Sequence, residues 1–316
     1  MLLHSMSIAL TKSFSPFHWP TEALPALRPS SVPPPPQSAL AQCLTLLSQI
    51  MCIGRNYADH IAELNSATPK QPFFFLKPAS SILLPGAGPV LRPKGVNVHY
   101  EVELGLVIGK TVKDLREDDE QGALDAISGM LASIWFLCLG ETLGVSGNSA
   151  IILGFCRGRW EVYKKHNRTD VETTGYLLAI DMTGRNVQEE AKKKGLPWSI
   201  AKGFDTFLPI SQLIAKSRIP DPQNVHLWLS VNGETKQSDS TELMLHRIPR
   251  QLSAISRVMT LEAGDIILTG TPKGVGPVKT GDVMRAGIKV DGKDIEEASL
   301  EVPVEDREGL YAFAET

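Results

Sequence analysis

Four cysteines, Cys43, Cys52, Cys138 and Cys156, stand apart in this chain with no C-x-x-C spacing. That excludes a zinc-ribbon pattern and argues for free thiols in a reducing compartment over a disulfide frame. Long apolar runs are also missing. The longest, Met130–Leu139 and Ala150–Cys156, fall short of the ~20 residues that span a bilayer, so no membrane partner is expected. Nor is there a basic excess: Lys and Arg total 32 against 35 Asp and Glu, a net charge of −3. Phosphate backbones call for a basic surface, so nucleic acid is not an expected partner. Acid is scarce in one place, residues 1–49, where Glu22 is the single carboxylate.

What is present is ordinary globular composition, 42% hydrophobic and 21% charged over 316 residues. Residues 1–49 differ from the rest. Pro33–Pro36 and many serines mark a poorly ordered Pro/Ser-rich extension, with a short helix over Ser38–Ile50 leading into the fold. Its acid-poor start reads as a mitochondrial leader, but Arg28 is its only arginine, which leaves a cytosolic protein as the alternative. Residues 50–316 read as a single catalytic domain.

The pivotal stretch is His99–Gly109, HYEVELGLVIG. Its β-branched content and bounding glycine read as one strand. Side chains alternate faces, so Glu101 and Glu103 point the same way, about 7 Å apart. Such a pair is either a solvated strand face or half of an oxygen-ligand site for a hard cation. In Ala58–Leu64, Asp59 reads as a helix cap, and His60 and Glu63 lie three apart on one helix face. That spacing suits either a surface ion pair or an imidazole oriented by a carboxylate for base chemistry.

Further along, the stretch from Gln71 to Ser80 holds an apolar run ending in Lys77, which either meets an anion, since a buried lysine is costly, or reaches solvent. A helix is expected over Leu115–Ile127. Tyr176–Ile180 is a strand ending on Asp181, followed by a helix through Lys192–Lys194 that Gly195 breaks. Lys202 stands among apolar neighbours, either reaching solvent or entering a site. Asn232-Gly233 marks a hairpin and Pro249–Leu261 a helix with proline at its first position. Thr269–Gly276, TGTPKGVG, is a glycine-rich loop able to grip an anion or carbonyl, but it fits neither a Walker loop nor a dinucleotide fingerprint.

Taken together, the motifs CIGRNYADH (52–60), FLKP (75–78), HYEVELG (99–105), DMTGRNVQ (181–188), KGLPW (194–198) and LTGTPKGVGP (268–277) resemble the fumarylacetoacetate hydrolase family. The similarity is to its acylpyruvate hydrolase/oxaloacetate decarboxylase branch and covers about 50–129 and 175–303. It implies an α+β, β-rich fold, a mixed β-roll with flanking helices, and a homodimer. It implies a Mg²⁺ or Mn²⁺ held by Glu101, Glu103 and Asp181. His60 and Glu63 fall on the family's catalytic dyad, with Lys202 as a third catalytic residue. Arg55, Arg185, Gln188 and Thr271 fall where the substrate's carboxylate and oxo groups are held; Lys77 is a further candidate. The implied reaction is cleavage of small 2-oxo acids, acylpyruvates or oxaloacetate, through a metal-bound pyruvate enolate. Keto–enol tautomerisation of oxaloacetate at the same site is the alternative.

One segment departs from that resemblance. In such proteins Gly129 would run almost directly into Tyr176, and 130–174 has no steady period. A structureless insert of this length is improbable in a compact domain. Gly129-Met-Leu can be encoded with a splice donor and Thr174-Gly175 with an acceptor, so the insert is expected to be a retained intron read in frame. An insert that breaks the fold would leave a catalytically dead variant.

Overall fold

The computed structural model describes residues 49–127 and 175–315. The leader, the ordering of the N-terminal extension and the retained-intron insert all concern residues outside the described ones. Ile50, expected at the end of a helix, instead opens the first strand.

The strands in chain order begin with β1 (Ile50–Gly54), β2 (Phe73–Lys77), β3 (Ile82–Leu83), β4 (Val90–Arg92), β5 (Val98–Tyr100) and β6 (Val102–Val107). They continue with β7 (Gly175–Ile180), β8 (Thr183–Gly184), β9 (Leu208–Pro209), β10 (Ile214–Ala215), β11 (His226–Val231) and β12 (Glu234–Ser240). The last are β13 (Ile266–Leu268), β14 (Gly276–Pro277), β15 (Val283–Val290), β16 (Lys293–Asp294) and β17 (Leu300–Asp306). The helices are short: α1 (Ala58–Glu63), α2 (Glu120–Ala126), α3 (Arg185–Lys194), α4 (Ser199–Lys202) and α5 (Ile248–Ser256). The fold is α+β and rich in strands, as expected.

The central sheet runs β10-β7-β6-β13-β1-β2. Only β1 and β13 pair in parallel; the other neighbours are antiparallel. Every residue of β1, β6 and β7 is buried, because this sheet is covered on both faces. On one face Met51, Ile53, Leu104, Leu106 and Leu178 join the main core. A second sheet, β12-β11-β15-β17-β4, closes that core with Leu229, Met284, Ile288 and Val302. On the other face Ile50, Cys52, Val107, Ala179 and Leu268 pack against Leu208 and Ile210. Asn232 and Gly233 both take positive φ, +53° and +84°, which is the hairpin geometry their sequence announces.

Some expected elements differ. His99–Gly109 is not one strand: it breaks at Glu101, with β5 in the small sheet β14-β5-β8 and β6 in the central one. The Leu115–Ile127 helix is confined to α2, capped by Asp119, whose carboxylate accepts from the Gly122 N–H. Helix α5 begins one residue before Pro249 and ends at Ser256, five residues short of Leu261. The Leu261 backbone instead bonds Val112 in both directions. Asp59 lies inside the first turn of α1 rather than capping it; the cap position is Tyr57.

Candidate active site

The break at Glu101 builds the site. Where β5 leaves one sheet and β6 enters the other, the Glu101 carbonyl accepts the Asp181 N–H at 2.8 Å. Antiparallel pairing of β6 with β7, register Glu103 to Ala179, then sets Asp181 beside both glutamates. Carboxylate oxygens of Glu101, Glu103 and Asp181 all lie within 4.8 Å of one another, and all three residues are buried.

Charges that close need compensation. Lys202, at the end of α4, donates to Glu101 Oε2 at 2.9 Å and Asp181 Oδ2 at 2.5 Å. Arg185, at the start of α3, donates to Glu101 Oε1 at 2.7 Å and to the Gln188 side-chain Oε1 at 2.7 Å. Lys77 approaches Asp181 Oδ1 at 2.8 Å from behind, and its ammonium also donates to the Met182 and Lys202 carbonyls. Burial alone would raise the Glu101 carboxyl, but Lys202 and Arg185 outweigh it and hold that carboxyl well below the usual range. Burial likewise works against the Lys202 ammonium, and Asp181 and Glu101 more than restore it.

Glu103 is different. Its one hydrogen bond is from the Gly270 N–H at 2.6 Å, and burial followed by the charges of Asp181 and Glu101 pushes its carboxyl well up. Three buried all-oxygen donors, one of them without a cationic partner, match the needs of a hard divalent cation. The donor set therefore fits Mg²⁺ or Mn²⁺.

The opposite wall comes from the turn after β1. Arg55 sits in left-handed backbone, φ +55°, strained for a residue with a side chain. Asn56, fully buried, fixes this turn: its amide donates to the His246 and Thr269 carbonyls at 3.1 and 2.8 Å and accepts from the His246 N–H at 2.7 Å. Helix α1 then places His60 and Glu63 on one side, with Nδ1 of His60 3.5 Å from Glu63 Oε2. Burial lowers the His60 pKa, and Arg185 adds to that; Glu101 and Glu63 pull the other way. The Gly274 N–H donates to Glu63 at 3.2–3.3 Å and Lys273 pairs with Asp59 at 2.6 Å, tying the glycine-rich loop to α1. Gly274 has φ +91°, and a Cβ there would sit 2.1 Å from the Lys236 carbonyl, so only glycine fits.

These walls line a narrow cleft that is partly open to solvent. Of the residues singled out from sequence, Arg55, His60, Glu101, Glu103, Asp181, Arg185, Gln188, Lys202 and Thr271 line it. Glu63 stands behind His60 and Lys77 behind Asp181, neither of them on the wall. The Thr271 hydroxyl is committed to the fold, donating to the Val102 carbonyl at 2.9 Å.

Sequence reasoning missed Phe75, Lys192 and Trp198 as wall residues. Trp198 packs against Phe73 and Phe75 with centroids 5.7 and 5.4 Å away, and Lys192 Nζ lies 5.5 Å over its ring. A signal for Lys192 existed: Arg185, Gln188 and Lys192 are spaced i, i+3, i+7 along one helix.

A family model described as fumarylacetoacetate (FAA) hydrolase C-terminal matches residues 49–134 and 170–302. The chain is 44% identical over 243 residues to the mitochondrial oxaloacetate tautomerase oaa1 of Schizosaccharomyces pombe, covering 77% of this chain and 89% of that one. It is 43% identical over 241 residues to the mitochondrial oxaloacetate decarboxylase of Dictyostelium discoideum, 76% and 88% of the two chains. A crystal structure of fumarylpyruvate hydrolase from Pseudomonas aeruginosa, in complex with Mn²⁺ and pyruvate, aligns with TM-score 0.60 and 26% identity, over 83% of this chain and 91% of that one. With its fold, its clustered carboxylates and these matches in agreement, the chain belongs to the fumarylacetoacetate hydrolase family.

Proposed function

We propose that this protein is a divalent-metal-dependent enzyme acting on small 2-oxo acids, with keto–enol tautomerisation of oxaloacetate as its first activity. The observation that carries this reading is the single cleft in which three buried carboxylates face Lys202 and Arg185, with His60 on another wall. The names of the S. pombe and D. discoideum relatives support oxaloacetate as substrate.

Glu101, Glu103 and Asp181 would hold Mg²⁺ or Mn²⁺, which when bound supplies Lewis acidity to the substrate's 2-oxo group. Lys202 and Arg185, fixed by their carboxylate partners, add positive charge where enolate charge develops. His60, kept neutral by burial, takes a proton from carbon 3. Glu63 orients the ring through Nδ1 and steadies the imidazolium. His60 then returns the proton to the carbonyl oxygen, giving the enol, or the sequence runs in reverse. Gln188 holds Arg185 in place, and Arg55 faces the substrate from the mouth of the cleft.

A second reading, C–C cleavage, is favoured by the decarboxylase name of one relative and by the pyruvate in the P. aeruginosa structure. Loss of CO₂ from oxaloacetate breaks the C3–C4 bond and leaves the enolate of pyruvate, which takes up a proton. For an acylpyruvate, His60 would take a proton from water as it attacks the distal carbonyl; the C–C bond to the pyruvate half then breaks, releasing a carboxylic acid and the pyruvate enolate. The test is to follow enol-oxaloacetate decay and pyruvate release from oxaloacetate and acetylpyruvate, with Mg²⁺ and with EDTA. Enol–keto exchange that needs Mg²⁺ and disappears in Glu101→Ala supports the reading; no exchange and no pyruvate from either substrate overturns it.

The mitochondrial names of the relatives support a mitochondrial location, which fractionation of the native host tests. A homodimer is also proposed, supported by apolar side chains left open at Leu76 on edge strand β2, at Ile200 and at Leu243.

A further inference from the structure

The cations of the cleft are unequally committed. Arg185 is spent on Glu101 and Gln188, Lys202 on Glu101 and Asp181, and Lys77 on Asp181 and two carbonyls. Lys192, one helix face along from Arg185 and Gln188, has no carboxylate within ion-pair distance among the described residues. Its neighbour Lys194 pairs with Glu190 at 2.8 Å, four residues back, whereas the residue four back from Lys192 is the uncharged Gln188. Its ammonium lies instead 5.5 Å over the indole of Trp198, which Phe73 and Phe75 wedge in place. A cation seated on an aromatic face is held at the lip rather than released to solvent. Desolvation and the charges of Arg185 and Arg55 lower its pKa, a cost that an arriving anion relieves.

Charge counting says which anion. Lys202, Lys77 and Arg185 are taken up by Glu101 and Asp181, and none of the three pairs with Glu103. Arg55 and Lys192 add positive charge on the cleft wall beyond those pairs, which a dianionic substrate answers better than a monoanion. Seven residues separate Arg185 from Lys192, about 10 Å of helix axis, a gap that a lysine stem and a four-carbon diacid can share.

Resting on the 2-oxo acid reading above, we propose that Lys192 is a specificity residue that receives the distal carboxylate of a dicarboxylic 2-oxo acid. The cleft therefore prefers oxaloacetate-like diacids to acylpyruvates, whose far end is uncharged. A single charged hydrogen bond of this kind amounts to about a tenfold preference.

The test uses the full chain with Mg²⁺ and compares kcat/KM for oxaloacetate and for acetylpyruvate in wild type, Lys192→Gln and Lys192→Arg. The oxaloacetate-to-acetylpyruvate ratio is expected to fall about tenfold in Lys192→Gln, carried by KM, and to return in Lys192→Arg. A second readout is the thermal shift given by malate, an unreactive diacid, which should shrink in Lys192→Gln relative to that given by lactate. A ratio within twofold of wild type, or equal losses on both substrates, overturns the inference while leaving the 2-oxo acid reading intact. If the wild type turns over neither substrate, that reading falls and takes this inference with it.

Discussion

Glu103 and Glu101 line one cleft, yet replacing each by glutamine should have very unequal effects on stability. Glu101 is paired with Arg185 and Lys202 at 2.7 and 2.9 Å, all three residues being buried. Glu101→Gln leaves two buried cations short of a counter-charge, and breaking a buried pair in this way costs about 3–5 kcal/mol. Glu103 has no such partner, only the Gly270 N–H, and its carboxyl is already driven toward the neutral form. Glutamine is close to its isostere and keeps that acceptor, so Glu103→Gln should cost less than about 1 kcal/mol in EDTA. With Mg²⁺ the order of effects changes. A cation present at a hundred times its dissociation constant stabilises the wild type by about 2.7 kcal/mol, roughly 5 °C in melting temperature. Glu103→Gln should lose most of that shift. The assay is thermal or urea unfolding of the wild type and both variants, in EDTA and across a Mg²⁺ titration. A Glu103→Gln protein that loses more than about 2 kcal/mol in EDTA, or that keeps the full Mg²⁺ shift, would refute the assignment of Glu103 as the unpaired ligand.

Burial holds His60 below its ordinary pKa of 6.5, so a base-dependent kcat/KM should be flat above neutrality and fall on the acid side. Glu63 raises that pKa, so Glu63→Gln should move the acid limb to lower pH while cutting kcat roughly 10–100-fold; a limb that moves up contradicts the pairing. Asn56→Ala removes three buried hydrogen bonds and should destabilise by about 3 kcal/mol in urea melts, with oxaloacetate KM raised because the Arg55 turn loses its clamp. Cys52 is fully buried and its thiol is pushed well up, so the Cys52 peptide should escape alkylation at pH 8 until the protein unfolds. Light scattering after size exclusion should give twice the chain mass; a monomer mass at micromolar concentration would remove the homodimer proposal.

The elements that carry local signals were legible in the sequence. Asn232-Gly233 announced its hairpin, Gly195 its helix end, and the buried runs of β1, β7 and β13 their strands. The motifs also named most residues of the cleft wall. What escaped was set by distant parts of the chain. The break at Glu101 lies inside an unbroken alternating pattern, and only the presence of two different sheets to join makes the chain switch there. Alternation put Glu101 and Glu103 together, but it could not say that β7 would pair with β6 in the register that brings Asp181 to them. Helix α5 ends early because Leu261 is claimed by Val112, a partner far away in sequence. Lys192 is easy to overlook for a different reason: in a run of three exposed lysines, only its i, i+3, i+7 spacing with Arg185 and Gln188 marks the one over Trp198.

The order of strands in the central sheet has a bearing on how the protein is made. From one edge to the other the strands come from the later, later, earlier, later, earlier and earlier parts of the chain. When β6 leaves the ribosome it lacks both its eventual neighbours, and β13, which separates it from β1, arrives roughly 160 residues later. At about 5–20 residues per second that is a wait of roughly ten to thirty seconds. During that interval β1 and β6 lack the strand that joins them, and Gly270 is not yet in place beside Glu103. An incomplete chain of this kind exposes apolar surface and unpaired strand edges, the features that favour aggregation. A truncated product ending before Ile266 would lack the β13 ladder on both sides, and with it any partly working cleft.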